Sequence, residues 1–343
     1  MAEEILEREL PIVDAHHHMW DKRRLPVESG DHPFTQAVAP IRRYMLDDVT
    51  ADAESGHNVI ASVYLECGAF YKADGPEELR SLGETEVVNG VAAQAASGAN
   101  GPFQACAGIV GYVDLTLGDR AADLLEAHVG AGGGRFRGVR NIAGYDEDER
   151  VTGPLSGVTP GLYRRDDFRG GFRYLAQLGL SFDAWLLEPQ LPDLIDLARA
   201  FPDTTIVLDH LGTPVGSGCY EGRLAERFPL WRGNMAELAG CANVVVKLGG
   251  LGMCFSNFPS FLAQRPASSE QLAQEWRPYV ETGVELFGAD RCMFESNFPV
   301  DRGACSYATL WNAFKRLAAG ASSDEKAALF AGTAKRVYRL ELS

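Results

Sequence analysis

The chain has 343 residues, of which 46% are hydrophobic and 23% charged, and its net charge is −15 with neutral histidines. This composition is typical of a globular protein, so a disordered chain is excluded, and the length is sufficient to bury a large core. A protein this acidic repels nucleic acid and anionic lipid, so we expect neither as a partner.

Short apolar stretches alternate along the chain with longer amphipathic ones. The predicted strands are Pro11–Ala15, Val59–Glu66, Ala105–Val110, Phe136–Val139, Leu180–Leu186, Thr205–Asp209, Val244–Leu248 and Cys292–Phe294. The predicted helices between them are Glu84–Ser97, Asp119–Val129, Asp167–Gln177, Pro192–Ala200, Arg223–Ala239, Glu270–Phe287 and Tyr307–Ala318. Such alternation predicts a parallel sheet, and eight strands fit an α/β fold of the closed (β/α)₈ TIM-barrel type better than a doubly wound sheet.

Three long insertions follow predicted strands. Residues 20–44 come after the first strand, 144–163 after the fourth and 252–269 after the seventh. Because barrel enzymes build their sites at the C-terminal strand ends, these loops are predicted to form substrate walls or lids. We find no repeat or linker that divides the sequence, so we predict one domain over residues 1–343.

The N-terminal segment is acidic and lacks the basic start and apolar middle of a secretory signal. No apolar run reaches the roughly 20 residues that cross a bilayer. The seven cysteines are scattered and form no CxxC pair. We therefore expect reduced cysteines, a cytoplasmic location and no membrane partner.

The strongest functional signal is the segment IVDAHHH, in which a predicted strand ends in three histidines. Side chains two residues apart on a strand share a face, so His16 and His18 are predicted to point together into the barrel mouth and His17 away from it. Two imidazoles on one face can bind a metal or polarise a carbonyl. The structural alternative is a polar loop that happens to be rich in histidine.

A second strand, TIVLDHLG, ends in His210. Alternation places Ile206, Leu208 and His210 on one face, so His210 is predicted to continue the inward column. The structural alternative is a histidine that only satisfies hydrogen bonds at the strand end.

Two cations lie at strand ends, Arg140 in FRGVR and Lys247 in VVVK. In a site, either could bind a carboxylate or stabilise a developing oxyanion. The alternative for both is a structural ion pair with a carboxylate of a neighbouring strand.

Acids and one amide follow the predicted last strand in the segment CMFESNFPVD. Alternation puts Glu295 and Asn297 on one face, and Asp301 lies on the loop beyond. Glu66 is the matching acid at the end of the second strand. Each acid could instead be a supporting partner or a surface charge, and this interpretation is favoured for Glu295.

Five segments, in chain order, together resemble one family: VDAHHHMW, FRGVRNIAG, IVLDHLGTP, NVVVKLGGLGM and MFESNFPVD. They are similar to the amidohydrolase-2 branch of the amidohydrolase superfamily. Within it they resemble the TIM-barrel metal-dependent hydrolases that include 2-pyrone-4,6-dicarboxylate lactonase and the sugar-acid lactonases. The segment FAGTAKRVYRL resembles the closing helix of that group, so the resemblance spans almost the whole chain.

The resemblance implies roles for single residues. His16 and His18 correspond to the HxH pair, and His210 corresponds to the strand-end histidine, so all three are implied as catalytic and metal-binding. Arg140 corresponds to an arginine that contacts a substrate carboxylate. Lys247 corresponds to the lysine of the seventh strand and is implied as a further substrate-binding residue.

The last-strand aspartate of the family falls on Asn297, which is a departure. A carboxamide cannot accept a proton at neutral pH and is an uncharged ligand. Asp301 and Glu66 are therefore the candidates for the base that activates water. The implied cofactor is a divalent ion such as Zn²⁺ or Mn²⁺, held more weakly than with an aspartate, or none at all.

Three functions remain open from the sequence. The first is hydrolysis of a lactone or related cyclic ester of a small carboxylated catabolic intermediate. The second is decarboxylation of an aromatic or unsaturated acid on the same scaffold, and the third is a ligand-binding barrel without catalysis. The expected partner is a small-molecule substrate, and assembly with further copies of the chain stays open.

Overall fold

The computed structural model describes residues 3–155 and 157–342. The strands are β1 (Pro11–His17), β2 (Trp20–Asp21), β3 (Arg43–Tyr44), β4 (Asn58–Leu65), β5 (Gln104–Gly111), β6 (Phe136–Ile142), β7 (Ser181–Trp185), β8 (Ile206–Leu208), β9 (Val244–Leu248) and β10 (Cys292–Phe294). Eight of them form one parallel sheet in the order β1, β4, β5, β6, β7, β8, β9, β10.

The sheet closes between β1 and the segment that follows β10. The amide of Asn297 donates to the carbonyl of His16 at 2.8 Å, and the amide of His18 donates to the carbonyl of Phe298 at 2.8 Å. The predicted (β/α)₈ barrel is confirmed.

The helices surround this sheet. They are α1 (Pro33–Val38), α2 (Leu46–Ala53), α3 (Leu82–Ala96), α4 (Ala121–Ala131), α5 (Glu149–Thr152), α6 (Asp166–Gln177), α7 (Leu191–Ala200), α8 (Leu224–Ala239), α9 (Ser269–Phe287), α10 (Tyr307–Leu317), α11 (Ser323–Ala327) and α12 (Thr333–Val337). None of the described helices combines the length and hydrophobicity needed to cross a membrane.

The barrel interior is packed with small and branched side chains from the strands, such as Val13, Val63 and Val245. The C-terminal segment packs against these residues through Val337 and Tyr338, next to the N-terminal ends of the strands. At the opposite end of the barrel, where the strands terminate, the loops cover the interior. This is the end at which the sequence places the three insertions.

The insertions meet above the strand ends. The first contains the two-stranded pair β2–β3 and helix α1, and the second contains α5. Side chains from all three join one apolar cluster, which includes Phe34, Leu155 and Phe255. The loops therefore form a packed cover with its own hydrophobic contacts.

Candidate active site

A cavity of about 680 Å³ lies at the C-terminal ends of the strands. Five predicted site residues line it: His18, Glu66, Arg140, His210 and Asn297. They come from five different strand ends, so closure of the barrel brings them together.

His16 and His18 meet, and their neighbour His17 points elsewhere. The Nδ1–H of His18 donates to the carbonyl oxygen of Leu65 at 2.8 Å, which leaves the lone pair on Nε2. That Nε2 lies 3.2 Å from Nε2 of His16. The Nε2 of His17 lies 2.9 Å from the hydroxyl of Ser62, on the other side of the strand.

Burial keeps this pair uncharged. It lowers the pKa of His16 to about 4, and it lowers the pKa of His18 well below its ordinary value. Both imidazoles are therefore neutral near pH 7, and a neutral imidazole keeps a lone pair that can bind a cation.

Glu295 bridges two of the histidines. One carboxylate oxygen lies 2.8 Å from Nδ1 of His16 and the other 2.6 Å from Nδ1 of His210. Burial by itself would raise the pKa of Glu295, but His210 and His16 outweigh it and lower the pKa to about 2. An ionised carboxylate on Nδ1 fixes the tautomer that leaves Nε2 as the acceptor. Glu295 therefore orients both rings. This is the supporting role that the sequence analysis favoured for Glu295, and the structure shows which residues it supports.

His210 reaches the interior through a left-handed turn. Strand β8 ends at Leu208, and the backbone of His210 has a φ of 54°. Strand alternation predicted that His210 continues the inward column after Leu208. This prediction is wrong, because the strand has ended before His210. The turn depends on Gly250, because a Cβ there would lie 2.2 Å from the His210 ring. The glycine-rich segment after β9 makes room for this histidine.

Lys247 is fully buried among carboxylates. Its Nζ lies 2.7 Å from Asp183, 2.9 Å from Asp209 and 3.2 Å from Nδ1 of His16. The hydroxyl of Tyr338 donates to Asp183 at 2.6 Å. Burial alone would lower the pKa of Lys247, but the acids hold it above its ordinary value. Lys247 does not line the cavity, so the structure places it behind His16 and away from a substrate.

Replacing Lys247 with methionine is expected to lower the free energy of unfolding by about 3–5 kcal/mol, because Asp183 and Asp209 would lose their buried counter-ion. Denaturant unfolding measures this. The control is Lys72→Met, which breaks an exposed ion pair with Glu86 and should cost less than about 1 kcal/mol. Similar losses in the two variants would show that the buried carboxylates do not depend on Lys247.

Arg140 forms an ion pair within the site. Its Nε donates to Glu66 at 2.8 Å, and its Nη1 lies 3.5 Å from Asp209 and 3.4 Å from Nε2 of His16. The sequence analysis left open whether Arg140 forms a structural ion pair, and the contact with Glu66 is such a pair. Arg140 and Glu66 also line the cavity, so both remain within reach of a ligand.

Asn297 lies in the cavity wall, and Asp301 lies behind it. The amide Nδ2 of Asn297 donates to Asp301 at 2.7 Å, and the backbone amide of Gly252 donates to the other oxygen of Asp301 at 3.0 Å. Burial raises the pKa of Asp301 to about 7. Asp301 does not line the cavity. Its position suits holding Asn297 in place, whereas the predicted role as base would require direct contact with water in the cavity.

The charged side chains follow the layered filling of a barrel, in which alternate strands supply one layer. One set comes from the ends of β4, β6, β8 and β10: Glu66, Arg140, Asp209 and Glu295. The other comes from β1, β7 and β9: His16, Asp183 and Lys247. Side chains from strands that are not adjacent in the sheet thus become neighbours.

This donor set fits a divalent cation. Two ligands of a tetrahedral zinc ion, each about 2.0–2.1 Å from it, lie about 3.3 Å apart, close to the 3.2 Å between the Nε2 atoms of His16 and His18. Potential ligand atoms of His16, Asp209 and His210 also lie within 4.8 Å of one another. One oxygen of Asp209 lies 2.9 Å from Nζ of Lys247 but makes no well-aligned hydrogen bond. Nitrogen and carboxylate donors of this kind suit Zn²⁺ or Mn²⁺.

Sequence reasoning missed three members of this network: Asp183, Asp209 and Tyr338. Two of them carried a signal. Asp183 interrupts the apolar strand SFDAW, and Asp209 directly precedes His210 in LDHLG. A carboxylate in a buried strand needs a partner. Tyr338 directly follows helix α12, in a segment where an aromatic residue is ordinary, so it carried none.

These features define a (β/α)₈ barrel with a histidine–carboxylate centre at the C-terminal strand ends. The amidohydrolase family model matches residues 13–340. The chain therefore belongs to the amidohydrolase family, and the resemblance found in the sequence is confirmed.

Two relatives cover almost the whole chain. Protein y4mH of Sinorhizobium fredii is 34% identical over 97% of this chain and 99% of its own. An L-fucono-1,5-lactonase of Burkholderia multivorans is 27% identical over 96% of each chain. Family membership and lactonases among the relatives support a hydrolase.

Solved structures share the fold. An amidohydrolase of Burkholderia multivorans with bound zinc has a TM-score of 0.71 at 24% identity and covers 96% of this chain and 99% of its own. A 5-carboxyvanillate decarboxylase of Novosphingobium aromaticivorans with manganese has a TM-score of 0.58 at 13% identity and covers 97% of each chain. At these identities the likeness concerns the fold alone.

Proposed function

We propose that this protein hydrolyses a lactone. The observation that carries the proposal is the Glu295–His210 pair, whose imidazole lines the cavity next to His18 and Arg140. A histidine held at Nδ1 by a carboxylate is suited to take a proton from water at Nε2. The lactonases among the relatives support the choice of a cyclic ester.

In the proposed reaction, Nε2 of His210 removes a proton from water, and the resulting hydroxide attacks the lactone carbonyl carbon. The carbonyl electron pair moves to its oxygen, where the guanidinium of Arg140 stabilises the negative charge. The tetrahedral intermediate then breaks its bond to the ring oxygen. That oxygen takes the proton from His210, which gives a hydroxy acid and restores the neutral histidine.

A divalent ion would be held by the Nε2 atoms of His16 and His18. When bound, it would add Lewis-acid polarisation of the carbonyl. Glu295 would orient His16 through Nδ1, and Leu65 would orient His18 in the same way. Asn297 contributes a neutral amide to the same wall and cannot take a proton from water.

Proton release at constant pH tests the proposal, with L-fucono-1,5-lactone and 2-pyrone-4,6-dicarboxylate as first substrates. Hydrolysis releases one proton for each ring opened to a carboxylate, and no gas. Release of carbon dioxide from 5-carboxyvanillate without proton release from any lactone would instead identify a decarboxylase. Ligand binding without turnover of either class would identify a binding protein.

Chelation separates the roles of the metal and of Arg140. We expect the enzyme to keep activity within about threefold after its metal content is lowered, since Arg140 already places a positive charge 3.4 Å from Nε2 of His16. Metal content is measured by mass spectrometry alongside the rate. Complete loss of activity, restored by Zn²⁺ or Mn²⁺, would contradict this expectation and make the ion essential.

A further inference from the structure

We infer that the substrate of this site is an uncharged lactone with an apolar or aromatic face. This inference rests on the proposed lactone hydrolysis and narrows it. It differs from the carboxylated substrate that the family resemblance implies for Arg140. The walls of the cavity, its charge balance and the positions of its polar groups each support it.

Aromatic side chains from the first insertion, the third insertion and the end of β7 form one continuous wall. The ring centroids of Phe34 and Phe255 lie 5.8 Å apart, and those of Phe255 and Trp185 lie 5.3 Å apart. Leu155 and Met253 extend this wall along the cavity. A ligand gains by burying its own apolar surface against such a wall, and a flat ring gains further by stacking.

Trp20 adds an aromatic surface from the first insertion. Its indole N–H donates to the carbonyl of Ile41 at 2.6 Å, so the polar atom of the ring is already used. What Trp20 presents to the cavity is therefore mainly its hydrocarbon surface.

The charges that line the cavity are balanced within it. Arg140 pairs with Glu66 at 2.8 Å, and Lys22 pairs with Glu28 at 2.8 Å. An anionic substrate would have to replace one of these carboxylates, and it would approach a protein whose net charge is −15. A dicarboxylate would have to replace a carboxylate in both ion pairs. An uncharged substrate leaves both ion pairs intact.

The hydrogen-bonding groups are concentrated at the strand ends. His18, His210 and Asn297 lie there, where the ester of a bound lactone would react. On the walls, the polar side chains of Lys22, Glu28, Ser29 and Thr35 belong to the first insertion. The second and third insertions contribute the apolar side chains of Pro154, Leu155, Met253 and Phe255. A ring with a hydroxyl on most carbons would place some of them against these apolar surfaces, where they lose water without gaining a partner.

Three lactones of different polarity and charge test the inference. Dihydrocoumarin is neutral and aromatic, L-fucono-1,5-lactone is neutral and hydroxylated, and 2-pyrone-4,6-dicarboxylate is flat and doubly charged. We expect kcat/KM for dihydrocoumarin to exceed that for L-fucono-1,5-lactone by about tenfold and that for the dicarboxylate by about 100-fold, after correction for spontaneous hydrolysis. A preference for either of the other two lactones would overturn the inference.

A variant pair links the preference to the wall. Leu155 is half-buried on a short turn, so Leu155→Ser should fold, and we expect it to lower kcat/KM for dihydrocoumarin about fivefold with little change for L-fucono-1,5-lactone. The matched control is Leu230→Ser, at a residue of α8 that is 57% exposed and outside the cavity. Equal effects of Leu155→Ser on both lactones would contradict a role in selecting apolar substrates.

A binding measurement separates failure of this inference from failure of the proposed function. If no lactone is hydrolysed, the proposed function is wrong. Quenching of tryptophan fluorescence by two lactams, 3,4-dihydro-2-quinolinone and a polyhydroxylated δ-lactam, then decides the inference, because Trp20 and Trp185 line the cavity. Tighter binding of the aromatic lactam supports an apolar ligand, and equal or weaker binding overturns it.

Discussion

Replacing Glu295 with glutamine is expected to lower kcat by about 10³-fold or more while the fold is retained. One oxygen of Glu295 accepts from Nδ1 of His210 at 2.6 Å, and the other lies 2.8 Å from Nδ1 of His16. A glutamine can accept at only one of its two positions, so one of the two histidines must change its tautomer or lose its partner. In Ser-His-Asp enzymes the corresponding carboxylate-to-amide exchange costs about 10⁴-fold. Steady-state rates measure the effect, and circular dichroism verifies the fold.

The matched control for this variant is Glu188→Gln. Glu188 is also a buried acid after a strand, but it accepts from Arg227 at 2.6 Å and does not line the cavity. We expect kcat within about twofold of the parent enzyme, since Glu188 pairs with Arg227 outside the cavity and its replacement leaves the reacting groups in place. If Glu295→Gln retained most of its activity, the proposal that the Glu295–His210 pair activates water would be wrong.

His18→Ala is expected to lower kcat by about 10²-fold or more, with little loss of stability. His18 lines the cavity, and its Nε2 meets that of His16 at 3.2 Å. Its removal takes away one preorganised polar group at the reacting carbonyl, for which a loss of this size is usual. Initial rates and denaturant unfolding are measured on the same preparation.

The neighbouring residue provides the opposite control. His17 faces away from the cavity and shares a buried hydrogen bond with Ser62. We expect His17→Ala to lower the free energy of unfolding by about 1–3 kcal/mol while kcat changes little, because a buried hydroxyl loses its partner. If His17→Ala abolished activity and His18→Ala did not, the assignment of the two side chains to opposite faces would be refuted.

The sequence predicted the barrel almost completely. All eight barrel strands and the seven predicted helices are present, with ends that differ by at most three residues. Local patterns suffice here, because apolar β-branched runs and amphipathic periodicity act over a few residues. The helices α1, α2, α5 and α11 and the pair β2–β3 were missed, since they are short and tertiary contacts stabilise them more than their own periodicity does. Helix α12 was expected from the resemblance of FAGTAKRVYRL to a closing helix and not from its periodicity.

The candidate site was predictable where it depended on one strand. Alternation along β1 places His16 and His18 together and His17 apart, and the structure has this arrangement. The same rule was insufficient for His210, because a left-handed turn follows β8. Alternation holds only while the backbone stays extended, and glycine at position 250 provides the space for that turn.

The sequence by itself determined the barrel, the histidine pair after the first strand, and the three insertions that cover the strand ends. Only the tertiary structure decided what these residues contact. Lys247 was predicted to bind substrate, with a structural ion pair as the alternative, and it is a buried counter-ion of Asp183. Arg140 is already paired with Glu66. The physical reason is that alternate strands fill the same layer of a barrel, so these contacts join residues 64 and 74 positions apart that no local pattern relates.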